Sequence, residues 1–183
     1  MKAITSRAEF DARIKRVIIT EEEIKAAVKE VGKRIDAIYD GRPILLVGLL
    51  KGVFAFFADV CRAVTVPCEV EFLRTQSYFA GTVSTGEVRL VLDMERDIST
   101  YHVVLLEDIV DSGNTLVKVS ALLKARNPLS FRVITLLDKP ARRVVDFTPD
   151  ESLFVIDDLF VIGYGLDCAE YYRNLPYIAE YAE

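Results

Sequence analysis

Three carboxylates fall within five consecutive positions in the stretch Val104-Leu105-Leu106-Glu107-Asp108-Ile109-Val110-Asp111-Ser112-Gly113-Asn114-Thr115. An apolar run ends in Glu107 and Asp108, Asp111 opens a small polar loop, and a helical pattern starts directly afterwards. A loop of small residues ahead of a helix N-terminus offers converging backbone N–H groups and a favourable dipole, which suits a phosphate. Three acids beside an anion site make Coulombic sense only if the ligand also carries hydroxyls for them to accept, with a divalent cation between acid and phosphate. A sugar phosphate with Mg²⁺ fits. A helix N-cap at Asp111 or Ser112 accounts for one acid, not three. The loop is not a P-loop, since GxxxxGK[ST] occurs nowhere, and Gly163-Tyr164-Gly165 stops short of GxGxxG.

The elements that must position this loop follow from periodicity. Thr20 with Glu23 three residues on reads as a capping box. Ile24, Ala27, Val28, Val31, Ile35 and Ile38 then recur at helical spacing until Asp40-Gly41-Arg42-Pro43 ends the helix. Short apolar runs at Ile44–Val47, Val103–Leu106 and Val133–Leu137 predict strands buried on both faces, as in a parallel sheet covered by helices. Helical patterns follow the first two, at Phe54–Val64 and Leu116–Arg126. That order predicts an α/β, doubly wound, mostly parallel sheet with ligands at the carboxyl ends of its strands. Val70 and Phe72, then Val88, Leu90 and Leu92, alternate as two antiparallel strands around the polar connection from Ser77 to Gly86. On composition that connection is either a loose turn or a lid.

Composition narrows the function. The chain has 183 residues, 51% of them hydrophobic and 28% charged, as expected of one globular domain spanning 1–183. Its net charge of -5 disfavours general attraction to nucleic acid or to anionic membranes. The polar N-terminus and the seven-residue Ile44–Leu50 run give no secretory or membrane segment. Cys61, Cys68 and Cys168, without CxxC spacing, read as reduced residues of a cytoplasmic protein rather than a disulfide framework or zinc site. His102, the single histidine, reads as structural, and Arg142-Arg143 as a solvated basic face.

The strand followed by Glu107-Asp108-Ile109-Val110-Asp111-Ser112-Gly113-Asn114-Thr115 resembles the phosphoribosyl pyrophosphate (PRPP) signature of the type I phosphoribosyltransferases. The remaining segments, from about Ile18 to Tyr177, narrow the likeness to the hypoxanthine-guanine branch in its short bacterial form. The resemblance implies a hood from about 1–20 and 150–183, and a mobile antiparallel lid over about 74–90 that carries Ser77 and Tyr78. Leu49-Leu50-Lys51-Gly52 resembles the pyrophosphate loop, with a cis peptide between Leu50 and Lys51; Lys51 alone reads as an ordinary solvated lysine. Leu136-Leu137-Asp138-Lys139-Pro140 resembles the segment whose lysine meets the purine's exocyclic oxygen. Asp158 to Asp167 resembles the nucleobase segment, although Phe160-Val161-Ile162 on its own reads as a core strand.

The resemblance then implies a division of labour. Ser112, Gly113, Asn114 and Thr115 join Asp111 around the 5′-phosphate, and Glu107 and Asp108 take the ribose hydroxyls. Lys51, Gly52 and Arg173 meet pyrophosphate. Ile109, Lys139, Phe160, Val161 and Asp167 form the purine site, with Phe160 stacking on the base and Val161 reading its edge through the backbone. Glu107, Asp108 and Asp167 hold Mg²⁺, and Asp111 manages the purine's proton. Some relatives carry a basic residue at the position of Asn114, where a neutral side chain leaves more of the phosphate to backbone N–H groups. The implied reaction moves a phosphoribosyl group from PRPP to hypoxanthine or guanine in a homodimer or homotetramer. A PRPP-sensing regulator on the same fold is the rival from another class. It calls for a basic, nucleic-acid-binding face, against a net charge of -5 and a complete set of Lys51, Asp111, Lys139 and Asp167. A transferase for xanthine is the nearer rival.

Overall fold

The structure is a computed structural model that describes residues 4–80 and 83–182, with side chains described outside 76–88. The capping box forms as the sequence predicts: the Thr20 hydroxyl accepts from the Glu23 amide, and the Glu23 carboxylate accepts from the Thr20 amide. Helix α2 (Glu21–Tyr39) starts there and ends at Asp40, whose left-handed φ of 48° stops it before Pro43. A short helix α1 (Arg7–Asp11) and strand β1 (Ile14–Ile19) precede it.

Strand β2 (Ile44–Leu50) leads to α3 (Phe54–Ala63) and then to β3 (Cys68–Ala80) and β4 (Val83–Leu92). Strand β5 (His102–Val110) leads to α4 (Asn114–Lys124), β6 (Ser130–Asp138) and β7 (Glu151–Val155). The large sheet runs β4-β3-β2-β5-β6-β7, with every pairing parallel except β3 with β4. Period-two alternation decides which way each apolar residue goes. Ile44 and Leu46 of β2, with Val104 and Leu106 of β5, pack into one core with α2 and α3. Leu45, Val47 and Leu49, with Val103 and Leu105, pack into another with Leu116, Val119 and Leu123 of α4. Both faces are therefore buried, and each such side chain contributes about 1.5–3 kcal/mol. That is the doubly wound architecture read from the apolar runs.

Strands β8 (Val161–Ile162) and β9 (Ile178–Tyr181) join β1 in a small antiparallel sheet ordered β1-β9-β8. Its core comprises Ile162, Cys168, Tyr172, Leu175, Ala179 and Tyr181. Two expectations need correction here. Glu151–Val155 pairs in parallel with β6 at the edge of the large sheet, so the chain from about 150 does not yet belong to the hood. Between Ser77 and Gly86 the backbone is strand to Ala80 and again from Val83, not a ten-residue connection. The alternation there is masked because Gly, Ser and Thr replace apolar residues. The side chains of Ser77 and Tyr78, assigned to the lid, lie outside the described residues.

Candidate active site

Because β2, β5 and β6 run parallel, their carboxyl ends gather the residues after each strand along one edge. Lys139 donates its amide to the Val110 carbonyl at 2.9 Å, tying the segment after β6 to the segment after β5. Helix α4 begins at Gly113, which adopts φ 85° and supplies no side-chain cap. Neither Asp111 nor Ser112 is the cap; Ser112 Oγ accepts only a long contact from the Asn114 amide, at 3.4 Å. A helix start without a side-chain cap leaves its N–H groups for another acceptor, and an anion is the natural one. Glu107, Ile109, Val110, Asp111, Ser112, Gly113, Thr115 and Leu116 line one hollow at this end of the sheet.

Alternation sends Glu107 toward that hollow, whereas Asp108 lies against the loop after β2. A Cβ placed on Gly52 would come within 1.6 Å of Asp108 Oδ2. One placed on Gly165, at φ 100°, would come within 1.9 Å of the Gly52 carbonyl oxygen. Glycine at 52 and 165 thus lets three segments stack with carboxylate and carbonyl oxygens at their contacts. The peptide between Leu50 and Lys51 is cis, as the resemblance implied.

Burial dominates the acids. It pushes the Glu107 carboxyl well above the ordinary range, and the neighbouring charge of Asp108 adds to the shift. Burial likewise raises Asp108 to about 6, opposed by hydrogen bonds from backbone amides and by Arg173. Glu107 Oε2 is buried with no hydrogen-bond partner among the described residues.

Beyond Gly165, Arg173 donates to the Gly165 carbonyl at 2.9 Å and pairs with Asp167 at 2.8 Å. It also reaches Glu170 at 3.2 Å, and both oxygens of Glu170 accept from Lys51 at 3.0 Å. The Glu170 amide donates to Asp167 Oδ2 at 2.7 Å. Ala169, Glu170 and Tyr172 all take positive φ, a conformation that L-residues avoid at roughly 1–2 kcal/mol each. This segment is held in shape by its ion pairs and by the Tyr172 ring stacked on Phe10.

On the other side, Lys139 is 7% exposed and donates to the Leu159 carbonyl at 2.5 Å. Burial draws its ammonium below the usual range, while the charges of Asp111 and Asp158 oppose that. Phe160 is half exposed, its edge against Tyr181, whereas Val161 and Ile162 are buried. The core-strand reading holds for Val161 and Ile162 but not for Phe160.

These strand ends, the uncapped loop and the acids can be compared with known proteins. A family model described as phosphoribosyl transferase domain matches residues 18–169. The chain belongs to that family. A hypoxanthine phosphoribosyltransferase of Salmonella typhimurium is 48% identical over 166 residues, covering 90% of this chain and 93% of the relative. One from Escherichia coli is 47% identical over 166 residues, at 90% and 93% coverage. A solved hypoxanthine phosphoribosyltransferase from Staphylococcus aureus superposes with a TM-score of 0.91 at 38% identity, over 97% of each chain.

Within this phosphoribosyltransferase fold, the structure corrects one reading and adds one residue. Of Arg142-Arg143, Arg142 is exposed as expected, whereas Arg143 is not part of a solvated face. Arg143 donates to the Asp111 carbonyl at 2.7 Å and pairs with Asp138, its side chain only 13% exposed. Arg142 lies 2.7 Å from Asp111 Oδ1, a close ion pair without an aligned hydrogen bond, and 3.4 Å from Asp158. Glu170 escaped the sequence reading, since nothing in an isolated glutamate marks it as the partner of a lysine 119 positions away. His102 hydrogen-bonds Ser130 at 2.8 Å and sits beside Tyr39, a structural role as expected.

The three carboxylates assigned to a metal are not a preformed cage. Among the described residues no group of three or more His, Cys, Asp or Glu is arranged to hold an ion, and Asp167 is engaged by Arg173 and the Glu170 amide. No helix among them is long and apolar enough to cross a membrane.

Proposed function

We propose that this chain transfers the 5-phosphoribosyl group of PRPP to a 6-oxopurine base, hypoxanthine or guanine, giving IMP or GMP and pyrophosphate in purine salvage. The observation that carries this reading is the uncapped start of α4 at Gly113, an anion site set beside the acids Glu107, Asp108 and Asp111. The family assignment supports it, as do relatives that bear the name hypoxanthine phosphoribosyltransferase. Ser112, Gly113, Asn114 and Thr115 take the 5′-phosphate, Glu107 and Asp108 the ribose hydroxyls, and Lys51, Gly52 and Arg173 the pyrophosphate. Lys139 donates to the base's oxo group, Phe160 stacks on its ring, and Ile109, Val161 and Asp167 complete the base site. Ser77 and Tyr78 belong to the lid that excludes water. The working unit is a cytoplasmic homodimer or homotetramer.

Mg²⁺ fits the acids present. A buried Glu107 oxygen with no partner among the described residues and an Asp108 carboxyl that burial raises to about 6 are donors suited to a hard cation. The lack of a ready cage is in keeping with an ion held by one or two carboxylates and completed by substrate oxygens. Glu107 and Asp108, with Asp167 at a second position, would hold it, and its chemistry there is neutralising phosphate charge. The protein's own share is positioning: the loops fix the sugar phosphate, Lys51 and Arg173 take up charge developing on the leaving group, and Asp111 accepts the base's proton.

Nucleotide formation from each purine with PRPP and Mg²⁺ tests the reading directly. Hypoxanthine or guanine should be consumed, and failure with every oxopurine would end it. Excess EDTA should abolish turnover; full activity in EDTA removes the cation from the mechanism. The sign of the pH effect follows from the raised carboxyls. Protonated Glu107 and Asp108 do not attract a cation, so Mg·PRPP binding should strengthen as pH rises from about 5 through 6, measured by calorimetry. Binding that is flat or falls over that range contradicts the assignment. Gly52→Ala should displace the Asp108 carboxylate and lower kcat/KM for PRPP by ~10²-fold, the scale of a misplacement of about 1 Å. Wild-type efficiency in the Gly52→Ala variant would show that this stacking is unimportant.

A further inference from the structure

Lys51 and Arg173 come from distant parts of the chain, one after β2 and the other before β9, yet one side chain holds both. Glu170 offers each carboxylate oxygen to Lys51 Nζ at 3.0 Å and Oε2 to Arg173 Nη2 at 3.2 Å. Its own amide is fixed to Asp167 at 2.7 Å, so the residue is anchored through its backbone. The carboxylate is nevertheless outside the core: the Glu170 side chain is 64% exposed and that of Lys51 47% exposed, against 19% for Arg173. Two cations and one acetate-sized anion, at a site reachable from solvent, reproduce part of what a diphosphate oxygen would meet there. An exposed ion pair is weak and readily exchanged. A polyvalent anion competing for the same N–H groups displaces it at modest cost.

We propose that Glu170 is a displaceable counter-anion of the pyrophosphate subsite, which competes with diphosphate for Lys51 and Arg173 and so hastens its departure. The proposal rests on the assignment of Lys51 and Arg173 to the pyrophosphate. Before a diphosphate arrives, Glu170 bridges the two cations and keeps them oriented. When it arrives, the carboxylate gives up its ion pairs and swings toward solvent, about a backbone that Asp167 continues to hold. When pyrophosphate is the product, the same carboxylate stands ready to retake the donors. Tight ground-state binding of a leaving group slows turnover without helping the chemical step. An internal competitor weakens that binding while the cations stay available to the charge that develops during bond breaking.

The test is the affinity of inorganic pyrophosphate, with Mg²⁺, for the full chain and for Glu170→Gln and Glu170→Ala, by isothermal titration calorimetry. Exposed pairs of this kind shift a competing equilibrium by roughly 2- to 30-fold in total. Both variants should therefore bind pyrophosphate tighter by that factor, and it should inhibit them more strongly during turnover. Pyrophosphate binding that is unchanged or weaker in both variants overturns the proposal, leaving Glu170 as a residue that merely pre-orders the cations. Lys51→Met separates this failure from the larger one. If it weakens pyrophosphate binding while the Glu170 variants do not tighten it, the subsite stands and only the competitor falls. If Lys51→Met has no effect, the subsite is misassigned and the proposal falls with it. Thermal unfolding of each variant shows that the fold is retained, as the exposure of the Glu170 side chain leads one to expect.

Discussion

Asp111→Asn should lower kcat by ~10²–10⁴-fold, the usual contribution of a positioned proton acceptor, while much of the PRPP affinity survives. The split follows from how the loop is held. Arg143 fixes the Asp111 carbonyl at 2.7 Å, and the Val144 amide donates to the Ser112 carbonyl at 3.1 Å. Both contacts use the backbone, so the phosphate loop keeps its shape when the side chain loses its charge. Gly113 and the start of α4 are likewise independent of the carboxylate. What disappears is the carboxylate charge in this hollow, whose Oδ1 pairs with the exposed Arg142 at 2.7 Å. Asparagine is of the same size but does not take up a proton at neutral pH. Steady-state kinetics with PRPP and hypoxanthine varied in turn give the answer. An unchanged kcat with a raised KM would make Asp111 a binding residue and move the proton acceptor elsewhere.

The parts of this molecule that the sequence discloses are those fixed by local rules. A capping box requires Thr and Glu three apart, and Thr20 and Glu23 form one. A strand covered on both faces shows a nearly continuous apolar run, and β2, β5 and β6 contain one each, with Thr135 the single polar residue in that of β6. Their ends then fix where Lys51, Glu107 to Thr115, and Lys139 must lie. What escapes is whatever depends on long-range pairing between residues that look ordinary alone. Arg142-Arg143 reads as a basic surface because a charged pair after Pro140 usually is one. Only the fold brings Asp111, Asp138 and Asp158 around it. Glu170 reads as one glutamate among many until Lys51 is brought to it. Alternation discloses β3 and β4 at Val70, Phe72, Val88, Leu90 and Leu92 but not how far they extend toward each other, because Gly, Ser and Thr interrupt it between 77 and 86. The family likeness supplied roles for Phe160 and Val161 that periodicity alone assigns to a core, and the structure divides them, one exposed and one buried.

Base choice should depend on Lys139, and the expected discrimination is larger than any other effect considered. Lys139 is 7% exposed, and its ammonium gives one hydrogen bond to the Leu159 carbonyl, at 2.5 Å. An ammonium has three donors and no acceptor, so two donors remain for a ligand. Hypoxanthine and guanine present an oxygen at the six position, whereas adenine presents an amino group, itself a donor. Donor would then face donor beside a cation that burial already destabilises. Leaving such a group unpaired costs ~1–3 kcal/mol, and more when it is charged. Sites built around one specific hydrogen bond discriminate by roughly 10⁴-fold or better. The unmodified protein should therefore use an oxopurine and essentially ignore adenine. Lys139→Met keeps a flexible stem of similar length and removes the donors, so turnover of both oxopurines should collapse. The main-chain bond from Lys139 to Val110 does not involve the side chain, and the uncapped start of α4 is untouched. PRPP binding should accordingly change little in the same variant. Competition assays with hypoxanthine, guanine and adenine, beside calorimetry with Mg·PRPP, measure both halves. Efficient use of adenine by the wild-type chain would overturn the role of Lys139 and the proposed substrate class together.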